Sequence, residues 1–328
     1  MTLNDTFWLG GIMEPRDQFQ SFCRNNRNRP DFARRLFDHF HQALSPGPKP
    51  PLIWLEANAC SGDSISTLNS VDPELGQILC SLVEVRYWNA LMPDQGQKAQ
   101  QQLFGAADHG NFILIVEGAI STAGGGRFAV PLKNGDYLFT SEELLLYLAP
   151  KAKYIVATGT CAAFGGPSAA RPNLSGSKGV WEVVQNRPVI NVSGCPINPD
   201  WLTGTLYHLL LYGLPEVDRY QRPTLFYGQT IHSMCQRRSY FDQGSFAAKP
   251  GDPECMYSLG CMGPVTGADC PYRLWNDHLN WPVKASTPCI GCTKSGFPDK
   301  STPFDTPLPA KLPKRAERRE QDGSEDHH

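Results

Sequence analysis

The sequence predicts an α/β fold: a doubly wound, mostly parallel sheet followed by a coil-rich segment. Three observations carry this. Five short β-rich runs recur between residues 51 and 194. Helix-like stretches separate them, and strands alternating with helices imply parallel pairing through crossovers. From about residue 215 to 300 the periodicity stops, and Gly, Pro and Cys dominate, as in GDPECMYSLGCMGPVTGADCPYRLWN.

Taken in order, residues 1–48 read as an N-terminal extension. DFARRLFDHFHQAL (31–44) places apolar residues near helical spacing, and SPGPKPP stops the helix. Residues 49–214 form the sheet domain. Its strands are PLIWLEA (51–57), LVEVRYW (82–88), NFILIVEG (111–118), KYIVATG (153–159) and PVINVSG (188–194). Helices are expected in DPELGQILCSL (72–82), SEELLLYLAPK (141–151), WEVVQN (181–186) and WLTGTLYHLLLYG (201–213). Residues 215–300 can bury little apolar surface of their own, so bound metal is the expected substitute for a core. Residues 301–328 include KLPKRAERREQDGSEDHH, a charged stretch expected to be solvated or partner-bound.

A chain of 328 residues with 41% hydrophobic and 19% charged residues is long enough for a large core. A net charge of −2 removes the broad electrostatic case for nucleic acid or anionic lipid. Eleven cysteines fit a disulfide framework poorly, because the count is odd and the core is large. The opening MTLNDTFWLGG has no basic n-region, and Arg34-Arg35 is followed by a segment too polar for a leader. FILIV and LLLYLA fall far short of the ~20 residues of a membrane span. A soluble, cytoplasmic protein without its own membrane anchor is therefore expected. In a reducing compartment, clustered cysteines more often bind metal than one another.

The cysteine positions sharpen this. Cys60 follows the first strand, Cys161 the fourth and Cys195 the fifth. Ligands of open α/β sheets bind beyond the carboxyl ends of the strands, so these three converge on one crevice. Gly62, Gly159, Gly165, Gly166 and Gly194 flank them and permit close backbone approach. The alternative is three buried structural cysteines. The first motif reads Cys60-x-x-Asp63, a metal-ligand spacing with a carboxylate in its second position. In the second half, His232 and Cys235 precede Cys255, Cys261, Cys270, Cys289 and Cys292. One zinc site would use four ligands and strand the rest. Two thiolate-rich sites account for all seven, and iron–sulfur clusters suit such donors.

These residues resemble the small, electron-transferring subunit of a nickel–iron hydrogenase. The resemblance spans about residues 50–300 and rests on WLEANACSGDSIS, ILIVEGAI, ATGTCAAFGG, VSGCPINPDW, IHSMCQRRSYFDQGSFA, LGCMGP and NWPVKASTPCIGC. It implies a flavodoxin-like domain with a proximal 4Fe–4S cluster, then a coil-rich domain with a medial and a distal cluster. By motif, Cys60, Cys161 and Cys195 are similar to the proximal ligands. His232, Cys235, Cys255 and Cys261 match the distal 4Fe–4S set, and Cys270, Cys289 and Cys292 the medial set. Three thiolates there, with Pro282 where a fourth ligand could approach, imply a 3Fe–4S cluster.

Most members of the family have cysteine where this chain has Asp63. A carboxylate is a harder donor but still binds iron, so the resemblance implies a proximal cluster held by three cysteines and one aspartate. Two other outcomes stay open: Asp63 hydrogen-bonds without ligating, or the cluster is 3Fe–4S with the site open. The pattern resembles the actinobacterial-type group, noted for working in air. The nickel–iron centre then lies in a separate large subunit, and a dimer of heterodimers is plausible. Glu117 is expected at the same crevice, capping nearby amides rather than relaying protons. Arg237 and Arg238 are read as loop anchors, a partner surface or solvated side chains. Cys80 is expected in the core, and His208 in its helix. Rival readings are a stand-alone multi-cluster electron carrier, a subunit of another oxidoreductase and a zinc-stabilised binding protein.

Overall fold

The computed structural model describes residues 15–299 except 28, 30 and 45–47. The expected tail and the terminal histidines lie outside the described residues. The sheet has five parallel strands: β1 (Pro51–Glu56), β2 (Glu84–Trp88), β3 (Ile113–Glu117), β4 (Tyr154–Thr158) and β5 (Ile190–Val192). Their order is β2-β1-β3-β4-β5, the flavodoxin-like winding, with its switch point between β1 and β3. All five strands lie within the runs the sequence marks.

Both faces of the sheet are covered, so its central strands are apolar along their length. Alternate residues point to opposite sides. Leu52, Trp54, Ile113, Ile115, Val156, Ile190 and Val192 join one core with Leu36, Phe40, Trp201 and Leu206. Ile53, Leu55, Leu114, Val116, Ile155 and Ala157 join the other with Leu103, Ala107, Leu144 and Leu148.

Helices α1 (Pro15–Asn26) and α2 (Phe32–Ala43) precede the sheet. Short α3 (Gly62–Thr67) follows β1, α4 (Gly96–His109) follows β2, α5 (Ser141–Leu148) follows β3 and α6 (Gly159–Phe164) follows β4. After β5 comes α7 (Pro199–Tyr212), which starts at Pro199 with Asn198 Oδ1 accepting from the Asp200 amide. The helices α1 and α2 lie on α7 through aromatic rings. Phe19 stacks on Tyr212 at 4.6 Å and Phe40 on Tyr207 at 5.4 Å. The residues read as an extension thus add buried Phe19, Leu36, Phe37 and Phe40 to the sheet's core.

Two expectations change. The stretch 72–82 is not one regular helix: Leu75–Gln77 runs into a π-helical turn, Ile78–Leu82. That turn buries Ile78 and Leu82 and leaves Cys80 exposed, not in the core. Helix α4 was not anticipated, because Leu103 is the one large apolar side chain among its buried residues Ala99, Gln100, Leu103 and Ala107.

The second half matches its texture. Among its described residues no helix exceeds the five residues of Arg238–Asp242. Phe40→Ala is expected to cost about 3–5 kcal/mol, because a fully buried ring wedged between α2 and α7 leaves a cavity. Chemical denaturation against the unsubstituted chain measures it.

Candidate metal-binding site

The first group of donors stands at the carboxyl end of the sheet. β1 delivers Cys60 to an exposed position, and Ser61 turns the chain through φ 58° into α3. Asp63 lies in the first turn of α3 and is buried. Cys161 sits in α6, and Cys195 follows β5. Burial pushes the Cys161 thiol up to about 11, with Asp63 and Cys60 adding to it. Cys195 is pushed up to about 12 by burial, then by Cys161, Cys292, Asp63 and Cys60. The four predicted side chains are therefore close electrostatic neighbours.

The Asp63 carboxyl is raised to about 8 by burial and then by Glu117, against a hydrogen bond from Ile197. Its Oδ1 accepts that amide at 2.8 Å. Its Oδ2 lies against Gly159, where a Cβ would overlap it. Gly159 has φ +82° and Gly166 φ +49°, and a Cβ on Gly166 would meet the Cys161 sulfur at 2.9 Å. These glycines thus make room for the donors themselves.

Glu117 anchors α3. Its Oε1 accepts the Asp63 amide at 3.0 Å, and its Oε2 accepts the Ser64 amide at 3.2 Å. Trp54 Nε1 and Ser64 Oγ donate to the same Oε2 at 2.9 and 2.5 Å. A carboxylate at unpaired first-turn amides supplies acceptors where the helix has none. Beneath it, Trp54 and Trp88 stack at 3.9 Å, and Trp88 Nε1 donates to Ser64 Oγ at 3.0 Å. Sequence reasoning passed over Ser64, Glu56 and both tryptophans. The signal was present: Glu56 closes an otherwise apolar strand.

The second group comprises Cys270, Cys289 and Cys292. Cys270 starts the short helix Cys270–Arg273 and is buried, as is Cys289. Burial, then Cys292 and Cys289, holds the Cys270 thiol well above its usual range. Pro282 is exposed between buried Trp281 and Val283. Arg273, also unforeseen, is fully buried and pairs with Asp269 at 2.7 Å and Asp200 at 3.0 Å. Trp201 Nε1 donates to Asp269 at 2.7 Å, so the residue before Cys270 is held from two sides.

The third group lines one pocket: His232, Cys235, Cys255 and Cys261, with Met256, Tyr257 and Val283. His232 rests edge-on against Phe241 at 4.5 Å. Burial, then Arg238, lowers its pKa against the opposing pull of Asp242, favouring the neutral imidazole a metal requires. The Arg237 amide donates to Cys235 Sγ at 3.4 Å. Its guanidinium donates to the carbonyls of Asp252 and Glu254 at 2.6 and 2.9 Å and to Ser286 Oγ at 3.0 Å. Arg237 thereby anchors the loop that carries Cys255. Arg238 instead pairs with Asp242 at the surface.

The Cys289–Thr293 segment joins the groups. Thr160 Oγ1 donates to the Cys292 carbonyl, and Ser193 Oγ to Thr293 O at 2.9 Å. Met262 donates its amide to Cys289 O at 2.7 Å. All eleven cysteines are free thiols. Among the described residues, no three His, Cys, Asp or Glu side chains are grouped as a single metal ion would require.

Residues 227–305 match the family model for the C-terminal part of the NiFe/NiFeSe hydrogenase small subunit. Residues 60–209 match the family model described as "NADH ubiquinone oxidoreductase, 20 Kd subunit". The periplasmic [NiFeSe] hydrogenase small subunit of Desulfomicrobium baculatum is 39% identical over 282 residues, covering 80% of this chain and 89% of that one. The periplasmic [NiFe] hydrogenase small subunit 1 of Nitratidesulfovibrio vulgaris is 39% identical over 272 residues, 80% and 84% of the two chains. The solved actinobacterial-type NiFe-hydrogenase from Ralstonia eutropha H16 aligns with a TM-score of 0.74 at 30% identity, covering 82% of this chain and 86% of that one.

These relatives overturn the expected cytoplasmic location, since the first two are periplasmic proteins. Cysteine usage was a poor guide because a thiol committed to metal does not report the redox state of its compartment. Gly159→Ala is expected to cost about 1–3 kcal/mol by driving a methyl group into Asp63. Thermal unfolding reads this as a lowered Tm; an unchanged Tm would place Asp63 elsewhere.

Proposed function

The chain belongs to the nickel–iron hydrogenase small-subunit family, and on that premise we propose that it relays electrons from hydrogen oxidation through three iron–sulfur clusters. The nickel–iron centre resides in a large partner chain. Cys60, Asp63, Cys161 and Cys195 hold a proximal 4Fe–4S cluster within residues 49–214. Cys270, Cys289 and Cys292 hold a medial 3Fe–4S cluster, and His232, Cys235, Cys255 and Cys261 a distal 4Fe–4S cluster, within 215–300. The observation that carries this reading is the junction. Cys292 raises the Cys195 thiol of the first group and the Cys270 thiol of the second. Cys261 of the third group raises Cys289 of the second.

Such clusters supply one-electron carriers. The chain's own residues position and shield them. Buried thiols exclude water, Glu117 fixes the start of α3, and the Arg237 amide meets the Cys235 sulfur. A neutral imidazole in place of a thiolate leaves the distal site less negative, which raises its potential. The partner docks beside Cys60, where Ile65, Leu68 and Val71 are exposed. Among the described residues no helix is long and apolar enough to cross a membrane. Two heterodimers pair in the full assembly, and the native mass tests that.

Asp63 also bears on oxygen. A carboxylate offers no sulfur to oxidise, so the proximal site keeps passing electrons in air. Asp63→Cys is expected to change the proximal EPR signal and to lower the ratio of aerobic to anaerobic hydrogen oxidation. Unchanged values on both counts remove Asp63 from the coordination sphere and from oxygen tolerance. The purified complex should carry about eleven irons per small subunit. His232→Cys should lower the distal midpoint potential, read by redox titration. Co-purification with a large subunit separates this reading from a stand-alone electron carrier.

A further inference from the structure

Glu56 and Glu117 end neighbouring parallel strands and are partners in register. They stand side by side on one face of the sheet, where two like charges repel. Ser64 Oγ lies between them, 3.1 Å from Glu56 Oε1 and 2.5 Å from Glu117 Oε2. Trp88 Nε1 donates to the same oxygen. A hydroxyl has one hydrogen to give and two lone pairs to receive with. Trp88 takes one lone pair, and the hydrogen goes to Glu117 by the shorter contact. The contact with Glu56 then closes only if Glu56 brings a hydrogen of its own.

Both oxygens of Glu117 already accept from other groups. Trp54 Nε1 and the amides of Asp63 and Ser64 all donate to its two oxygens. Glu56 differs: Asn89 Nδ2 donates to Oε2 at 3.0 Å, leaving Oε1 to carry the hydrogen toward Ser64. Glu56 is half-buried, whereas Glu117 is 1% exposed, so Glu56 is the member with access to solvent. The titratable groups facing it are Glu117 from β3 and Tyr87 from β2, with Asp63 of α3 beyond Glu117. Burial and then Glu117 raise its pKa, against Ser64 and Asn89.

We propose that Glu56 is a proton-binding site coupled to the electron held by the first donor group. The proposal rests on the reading that this group carries a redox centre. An added electron makes the surroundings more negative and favours protonated Glu56. At pH values where Glu56 is ionised before reduction and protonated after it, one electron from hydrogen oxidation is matched by one solvent proton. The proton forms an O–H bond at Glu56 Oε1, and that bond breaks when the electron moves on.

The test uses the complete, cluster-loaded complex. Redox titrations at a series of pH values follow the EPR signal of the first centre. The midpoint potential should fall with rising pH over part of the range, approaching about 59 mV per pH unit for one proton per electron. Glu56→Gln keeps the shape but cannot ionise, and its slope should be flat there. An infrared difference spectrum of the unsubstituted complex should gain a protonated-carboxyl band on reduction, shifted in deuterium oxide. A present signal with a flat slope, a Glu56→Gln variant with the original slope, or a missing band overturns the proposal alone. Absence of the signal together with its iron overturns the functional reading and the proposal with it.

Discussion

The carbonyl groups of residues 289–293 form a seam between the two halves of this molecule. No helix or strand passes through that segment, so its backbone polar groups must find partners elsewhere. They find them on both sides. Thr160 and Ser193 reach it from the ends of the sheet, and Arg222 Nη1 donates to Thr293 O at 2.9 Å. Met262, next to Cys261, reaches it from the other half. Arg222 is itself buried and paired with Asp218 at 2.8 Å. Cys289 and Cys292 lie in this segment, so contacts from both halves position these two donors.

The first donor group shows what a crowded set of acids requires. Glu56, Asp63 and Glu117 meet where β1, α3 and β3 converge. Each has a separate answer to burial. Glu117 is surrounded by N–H and O–H donors, Asp63 receives one amide and lies against a glycine, and Glu56 keeps contact with solvent. The stacked indoles of Trp54 and Trp88 close the site from below, with both N–H groups committed to its polar atoms. A buried network of this kind is stable only when every member is satisfied.

The second half relies on local anchors in place of a layered core. Arg273, with its two carboxylates and the face of Phe226, and Arg237, with three oxygen acceptors, each hold a stretch bearing a cysteine. The Arg273 ion pairs owe their favourable balance to full hydrogen bonding rather than to charge alone. Together with the buried thiols, they explain how a segment of turns can keep a defined shape.

Much of the fold was legible in the sequence. The apolar runs marked all five strands of the parallel sheet, whose central strands are buried on both faces and so apolar along their length. Cysteines after β1, β4 and β5 pointed to one edge, because a parallel sheet ends its strands there. A buried face with one large apolar side chain hid α4, and an irregular turn sent Cys80 outward. Location was misread, because free thiols speak to chemistry rather than to compartment. Side-chain partners were beyond the sequence. That Glu56 and Glu117 share a register, that Ser64 stands between them and that Gly159 yields its space to Asp63 depend on residues far apart along the chain. Only folding brings such atoms within hydrogen-bond reach, and hydrogen bonds act over ångströms, not along the chain.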